Sequence, residues 1–354
     1  MTRSEKSDST HSSWQMLCDP PLKIDASHAG VQREHLSTLL KGREVPVAIP
    51  NLMKDWPIVS VGKASNNELC EYLLSFDKGA TVDALHLPFK EDGRMFYNEQ
   101  LSGFNFSRSR MLFSEALLTL QENQGKPKSD TLYVGSTTID SCLPGLLAEN
   151  DSGLEALKPL GTLWIGNKSR IAAHYDASDN LICVAAGKRR VTLFPPSQVE
   201  NLYIGPLHFT PAGQSISMVD FSNPDLAAFP KFKEAMQNAL VIDLSPGDAL
   251  YIPAMWWHHI EAKENINLLI NFWWREGEQF LGRAENTLYH ALLTLKQLPK
   301  SQRKAWKSLF DFYVFSDDEH RFQHIDNSKK GPLGDIDENT HRQFKAWLVN
   351  NFKQ

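Results

Sequence analysis

His174-Tyr175-Asp176 sets an imidazole and a carboxylate two positions apart in a segment of strand character. Side chains at i and i+2 of a strand share a face, so His174 and Asp176 can bind one ion while Tyr175 turns away. Taken alone, such a pair is most often a hydrogen-bonded couple at a strand end. A second imidazole source adds weight. Downstream, Pro246-Gly247-Asp248 supplies a tight turn, and the run that follows ends in Trp256-Trp257-His258-His259, on a strand expected to pair beside the first. Two histidines and one carboxylate form the donor set that holds Fe(II) on one face and leaves cis positions open for a cosubstrate and O₂. Spacing leaves His258 and His259 as alternatives, because adjacent strand residues face opposite sides.

The elements that must position these groups are read from pattern. The chain has 354 residues, 42% hydrophobic and 22% charged, enough for a full core. Thirty-seven Lys and Arg against 42 Asp and Glu leave a net charge of −5, so no global field favours nucleic acid or an anionic membrane. Cys18, Cys70, Cys142 and Cys183 are far apart, which disfavours a zinc knuckle or a disulfide scaffold and suits a reducing cytoplasm. No signal peptide or membrane span is expected, since no apolar run is long enough for either. Dinucleotide, P-loop and nucleophile-elbow motifs are absent.

Residues 1–20 read as a flexible leader. Helices are expected over Gln32–Leu40, Asn67–Leu74 and Phe113–Gln121, with short strands at Val45–Ile49, Thr81–Leu87, Met95–Tyr97 and Thr131–Val134. Trp56-Pro57 is read as ending a turn. The densest strand signal runs from Thr162 to Trp274, through TLWIG, HYDASDNLICVAA, RRVTLFPP, ISMVDF, LVIDLSPG, ALYIPAMWWHHIEA and INLLINFWW. Short strands broken by Pro and Gly turns indicate a sandwich or barrel. After Arg275 the spacing turns helical, in AENTLYHALLTLKQL, SQRKAWKSLFDFYVF and THRQFKAWLVNNF.

The run HYDASDNLICVAAGKRRVTLFPPSQVENLY, with VDFSNPD, SPGDALYIPAMWWHHIE and NFWW, resembles the cupin-like branch of the Jumonji C (JmjC) 2-oxoglutarate oxygenases. Within that branch it is similar to asparagine hydroxylases of the hypoxia-inducible factor and to tRNA wybutosine hydroxylases. PVAIPNLMKDWP resembles the opening motif of the same branch, so the likeness covers roughly residues 40 to 275. It implies a mainly β fold, a double-stranded β-helix or jelly roll, with flanking N-terminal helices in a catalytic domain over 21–275. A C-terminal helical region over 276–354 follows, with apolar positions such as Leu288, Leu292, Leu293 and Leu295 for a homodimer contact or an intrachain bundle.

The resemblance selects the first histidine of the pair, so the implied metal ligands are His174, Asp176 and His258, with Fe(II), O₂ and 2-oxoglutarate as cofactors and cosubstrate. The cosubstrate's distal carboxylate needs a cation. Alternation along Lys188-Arg189-Arg190-Val191-Thr192-Leu193 turns Arg189 to the same face as Val191 and Leu193, which makes Arg189 the expected anchor and Lys188 the fallback. Tyr133 matches a tyrosine bonding the same carboxylate, and Asn180 and Asn271 match asparagines near the cosubstrate. Each of the three reads equally as a buried, hydrogen-bonded polar residue; buried amides need partners, which a cosubstrate would supply. The chain departs from its relatives at Ile171, where they carry a hydroxyl. Hydroxylation of a protein or peptide side chain is the first expectation, favoured by the acidic balance, and a modified tRNA base is the second, favoured by GKRRVTLF and by Lys300, Arg303, Lys304 and Lys307. A cupin-fold protein that binds metal or a small acid without turnover is the remaining class.

Overall fold

The computed structural model describes residues 33–318 and 320–352, so the expected leader at 1–20 lies outside the described residues. The chain divides into two compact units at Arg275/Glu276. In the first, thirteen strands form two sheets. They are β1 (Val47–Ile49), β2 (Thr81–Leu87), β3 (Arg94–Met95), β4 (Ser107–Leu112), β5 (Thr131–Thr138), β6 (Leu160–Gly166), β7 (Ser169–His174), β8 (Asp179–Ala186), β9 (Arg189–Phe194), β10 (Leu240–Leu244), β11 (Ala249–Ile252), β12 (Trp257–Ala262) and β13 (Asn267–Trp274). The larger sheet runs β1-β11-β8-β13-β6-β5-β2-β4 and the smaller β10-β9-β12-β7-β3. All pairings are antiparallel except β3 with β7. This is the mainly β, jelly-roll architecture expected of the sequence.

Strands β8 and β13 are buried on both faces, which explains their nearly unbroken apolar runs. Leu181, Cys183 and Ala185, with Leu268, Ile270 and Phe272, face an outer core built with the helices α1 (Leu36–Leu40), α2 (Pro57–Ala64), α3 (Asn66–Phe76) and α4 (Phe113–Glu122). Their alternates Ile182, Val184 and Leu269 face inward, against Val191 and Leu193 of the smaller sheet. The period of two thus sorts one strand into a scaffold face and a cavity face.

Helix α2 corrects the reading of Trp56-Pro57 as the end of a turn. Pro57 instead opens a helix at a position where its missing N–H costs nothing, while Asn150 Oδ1 accepts from Ile58 N at 3.1 Å. Ile58, Val59, Val61 and Gly62 conceal it, being poor helix formers. Gly62 is required by packing, since a Cβ there would lie 2.7 Å from the Ala185 carbonyl oxygen of β8. Edge strand β4 is also missed, because SRSRML carries no apolar alternation. ISMVDF, expected as a strand, forms only an isolated bridge from Ser217 to Ile204. Val219 and Phe221 are buried there against Phe194 and Phe232 rather than paired into a sheet.

Gly187, in the turn from β8 to β9, has φ +74, and a Cβ on it would meet Asn267 Oδ1 and come within 2.8 Å of the Ile266 carbonyl oxygen. Gly187→Ala is therefore expected to destabilise the chain by about 1–3 kcal/mol, through strain at this turn. Chemical denaturation will register it as a lower midpoint at unchanged m-value.

The second unit contains α5 (Glu285–Thr294), α6 (Lys300–Tyr313) and α7 (Glu338–Asn351). None of these helices buries a side chain among the described residues. Leu293, Trp306, Phe312, Phe315 and Trp347 are exposed.

Candidate metal centre

Strands β7 and β12 lie side by side, and His258 is the direct cross-strand partner of His174. Two rungs away Ile260 pairs with Ile171, so three residues of β7 advance against two of β12. That extra residue is a β-bulge. It lets Ile171 and His174 both face the cavity although their spacing is odd. The rings of His174 and His258 then stand 4.2 Å apart, centroid to centroid.

Each ring is oriented by its own backbone. His174 Nδ1 donates to the Ala172 carbonyl at 2.9 Å, and His258 Nδ1 to the Trp256 carbonyl at 3.0 Å. Both Nε2 lone pairs are thereby left for a ligand, the tautomer that metal-binding histidines adopt. Burial, with His174 beside it, lowers the His258 pKa to about 4. His258 is thus neutral at physiological pH, and its approach to Asp176, 3.6 Å from Nε2 to Oδ2, is two donors facing one point rather than an ion pair.

Asp176 is not on the strand, as the two-residue spacing suggested. Strand β7 ends at His174, and Asp176 lies in the turn beyond it. That turn is pinned by Met255 N, which donates to the Asp176 carbonyl at 2.8 Å from a backbone with φ +68. Ligand-capable atoms of His174, Asp176 and His258 all lie within 4.8 Å of one another. Tyr175 turns away, edge-on to Trp257 at 4.9 Å. His259 points to the opposite face, packed on Phe221 at 4.5 Å, with a pKa lowered to about 3 chiefly by burial.

Deeper in the cavity, Arg189 is 3% exposed, while Lys188 is exposed to solvent. Arg189 pairs with Ala262 and Leu193 with His258, so alternation sets guanidinium and imidazole on the same face. The buried Nε has no hydrogen-bond partner, and no carboxylate among the described residues pairs with the group. Burial lowers its pKa, with the neighbouring Tyr133 opposing the shift. The Tyr133 phenol is itself pushed up to about 12 by burial, so it remains a donor. Ile171 packs in the cluster containing Tyr133.

Asn271 finds hydrogen-bond partners within the chain, as the reading of it as a buried, hydrogen-bonded amide expects. Its Oδ1 accepts from the Thr162 hydroxyl and from Trp164 Nε1 at 2.7 Å, and its Nδ2 donates to Asn180 Oδ1 at 3.1 Å. Thr162 and Trp164 had no signal of their own in the sequence. They emerge because β6 pairs with β13, placing Thr162 directly opposite Asn271. Gln214 was equally silent. It comes from the loop after Gly205 and donates to Asp176 Oδ1 at 3.4 Å. Trp273 faces the same side as Asn271, edge-on to Trp164 at 5.8 Å, with its buried Nε1 unpartnered, whereas Trp274 is in the outer core.

A model of the cupin-like domain matches residues 34–280. The chain belongs to the cupin-like family. Its JmjC-type members are oxygenases, and the clustered donors suit that chemistry. The cupin-like chain is 34% identical over 113 residues to lysine-specific demethylase JMJ31 of Arabidopsis thaliana, covering 32% of this chain and 20% of that one. It is 35% identical over 150 residues to human HSPB1-associated protein 1, covering 41% and 30%. It is 32% identical over 156 residues to human tRNA wybutosine-synthesizing protein 5, covering 40% and 44%. The matches therefore span less than half of each relative's length.

Ile171→Thr would set a hydroxyl in the cluster beside Tyr133. On the reading that 2-oxoglutarate is the cosubstrate, its KM is expected to fall by about 2- to 10-fold, the worth of one net hydrogen bond. Initial rates at varied 2-oxoglutarate concentration measure it.

Proposed function

We propose that this chain is an Fe(II)- and 2-oxoglutarate-dependent oxygenase that hydroxylates a protein side chain. The observation that carries the reading is Arg189, a buried guanidinium with no carboxylate partner among the described residues, on the same face as a cluster of two imidazoles and a carboxylate. A buried cation is costly without a counter-ion, and a dicarboxylate that also chelates a metal supplies one.

His174, Asp176 and His258 would hold the iron. With 2-oxoglutarate and O₂, that centre supplies an oxidation in which the cosubstrate becomes succinate and CO₂ and one oxygen atom enters a substrate C–H bond. Arg189 takes the distal carboxylate, bidentate by its planar fork, and Tyr133 donates to it. Asn180 and Asn271, braced by Thr162 and Trp164, form a polar wall without flexible side chains. Gln214 steadies the Asp176 carboxylate and holds its loop near the position where substrate enters.

A protein substrate is favoured by the net charge of −5. The tRNA reading is favoured by the similarity to the wybutosine-synthesizing protein and by exposed Arg108 and Arg110 on edge strand β4. Incubation with 2-oxoglutarate, Fe(II) and air, followed by mass spectrometry of cellular peptides and of tRNA, tests the choice. A 16-Da gain confined to peptides supports the first reading, and a gain confined to tRNA replaces it with the second. A chain that binds iron and 2-oxoglutarate but never forms succinate is a binding protein instead. The exposed aromatic side chains of α6 and α7 suit a second copy as partner, which light scattering of the purified chain decides.

A further inference from the structure

Outside the metal cavity, a groove of about 1020 Å³ opens between the end of β2, the start of β4 and strand β3, and none of the three clustered donors lines it. Its apolar surface is aromatic, with Phe96, Tyr97, Phe104 and Phe106. Its charged surface is acidic, with five carboxylates, Glu91, Asp92, Glu99, Asp130 and Asp220, against Lys90, Arg94 and Arg170.

Those three cations are already engaged. Arg170 pairs with Asp92 at 3.2 Å and Asp220 at 3.1 Å, Arg94 with Asp220 at 3.7 Å, and Lys90 with Glu91 at 3.7 Å. Glu99 and Asp130 have no ion-pair partner among the described residues, although Asp130 Oδ1 accepts from Phe89 N at 2.8 Å. Arg108 also stands at the groove, 5.9 Å from the Phe104 ring and 5.7 Å from the Phe106 ring, so the balance is five carboxylates against four cations, still negative. It repels a phosphodiester backbone and attracts a cationic ligand.

The upper rim reaches the loop above the metal cluster. Phe104 stacks on Phe209 at 4.9 Å, and the Tyr97 hydroxyl donates to the Phe209 carbonyl at 2.6 Å. Phe209 lies in the same loop as Gln214, which touches Asp176.

We propose that this groove docks an extended, lysine- or arginine-bearing segment of the protein substrate, at a distance from the side chain being oxidised. The inference rests on the protein-substrate reading above. Arg94 over Phe96 at 3.7 Å and Arg108 beside Phe104 and Phe106 show that these walls accept long cationic side chains, and Glu99 and Asp130 supply the charge for further ones. A segment held here binds beside the loop that carries Gln214.

The test uses the full chain without iron and reads fluorescence anisotropy, so it is independent of turnover. The probe is a fluorescein-labelled dodecapeptide, Lys-Val-Lys-Ser repeated, compared with its glutamate counterpart and with a single-stranded RNA dodecamer. The expected result is tighter binding of the cationic peptide by tenfold or more, weakened by raised salt. Glu99→Gln with Asp130→Asn keeps the shape and removes both unpaired charges, and is expected to weaken the cationic peptide about fivefold or more. Equal or better binding of the acidic peptide or the RNA would overturn the proposal, as would a double variant that binds like the parent. A chain that binds the cationic peptide as expected yet forms no succinate keeps the groove and loses the enzymatic reading.

Discussion

His174→Ala and His258→Ala are each expected to abolish iron binding at micromolar metal and to reduce succinate formation by more than about 100-fold, the upper range for losing a group that merely orients a ligand. Each variant removes one of three donor atoms that lie within 4.8 Å of one another. His258 is 2% exposed, so its loss also leaves a small void beside His174. For that reason His174, less buried, is the cleaner variant. His259→Phe is the matched control. It keeps the aromatic contact with Phe221 and removes two ring nitrogens that face away from the metal cluster, so metal stoichiometry is expected to stay at one. Metal analysis after gel filtration reads all three. A His174→Ala protein with full iron content would remove the metal centre from this face.

Arg189→Met is expected to act in opposite directions on stability and on cosubstrate affinity. In the ligand-free chain it replaces a buried, uncompensated cation with an apolar side chain of similar length. A gain of about 1–2 kcal/mol is expected, within the range for replacing buried ionic groups by apolar side chains of similar volume. The midpoint of thermal unfolding would then rise by roughly 2–8 °C for a unit of this size. Added 2-oxoglutarate stabilises the parent through mass action and is expected to leave Arg189→Met unmoved. In turnover its KM is expected to rise about 100-fold, within the range for removing one partner of a buried charge pair. Lys188→Ala, at an exposed position, is expected to leave both quantities unchanged. Scanning calorimetry with and without 2-oxoglutarate separates the two positions in one experiment.

Much of this was legible in the residues. Strand alternation alone turned Arg189 inward and Lys188 outward, because a period of two leaves no other assignment once Val191 and Leu193 are core. Strand β2 could be read at its observed bounds for the same reason. The bulge in β7 could not be read, since nothing in SRIAAH marks where an extra residue is accommodated; only pairing against β12 shows it. Asp176 was placed on a strand for want of that pairing. Thr162, Trp164 and Gln214 were missed because their roles come from elements brought together across the fold. Helix α2 was hidden by β-branched residues whose helical state is set by packing on β8.

The most direct test is an anaerobic titration of the chain with Fe(II) and then 2-oxoglutarate, monitored in the visible, followed by O₂. The account predicts one iron per chain, a metal-to-ligand charge-transfer band that needs both additions and is missing in His174→Ala, and succinate appearing once O₂ enters. A chain that takes up iron and 2-oxoglutarate without the band or succinate would contradict it.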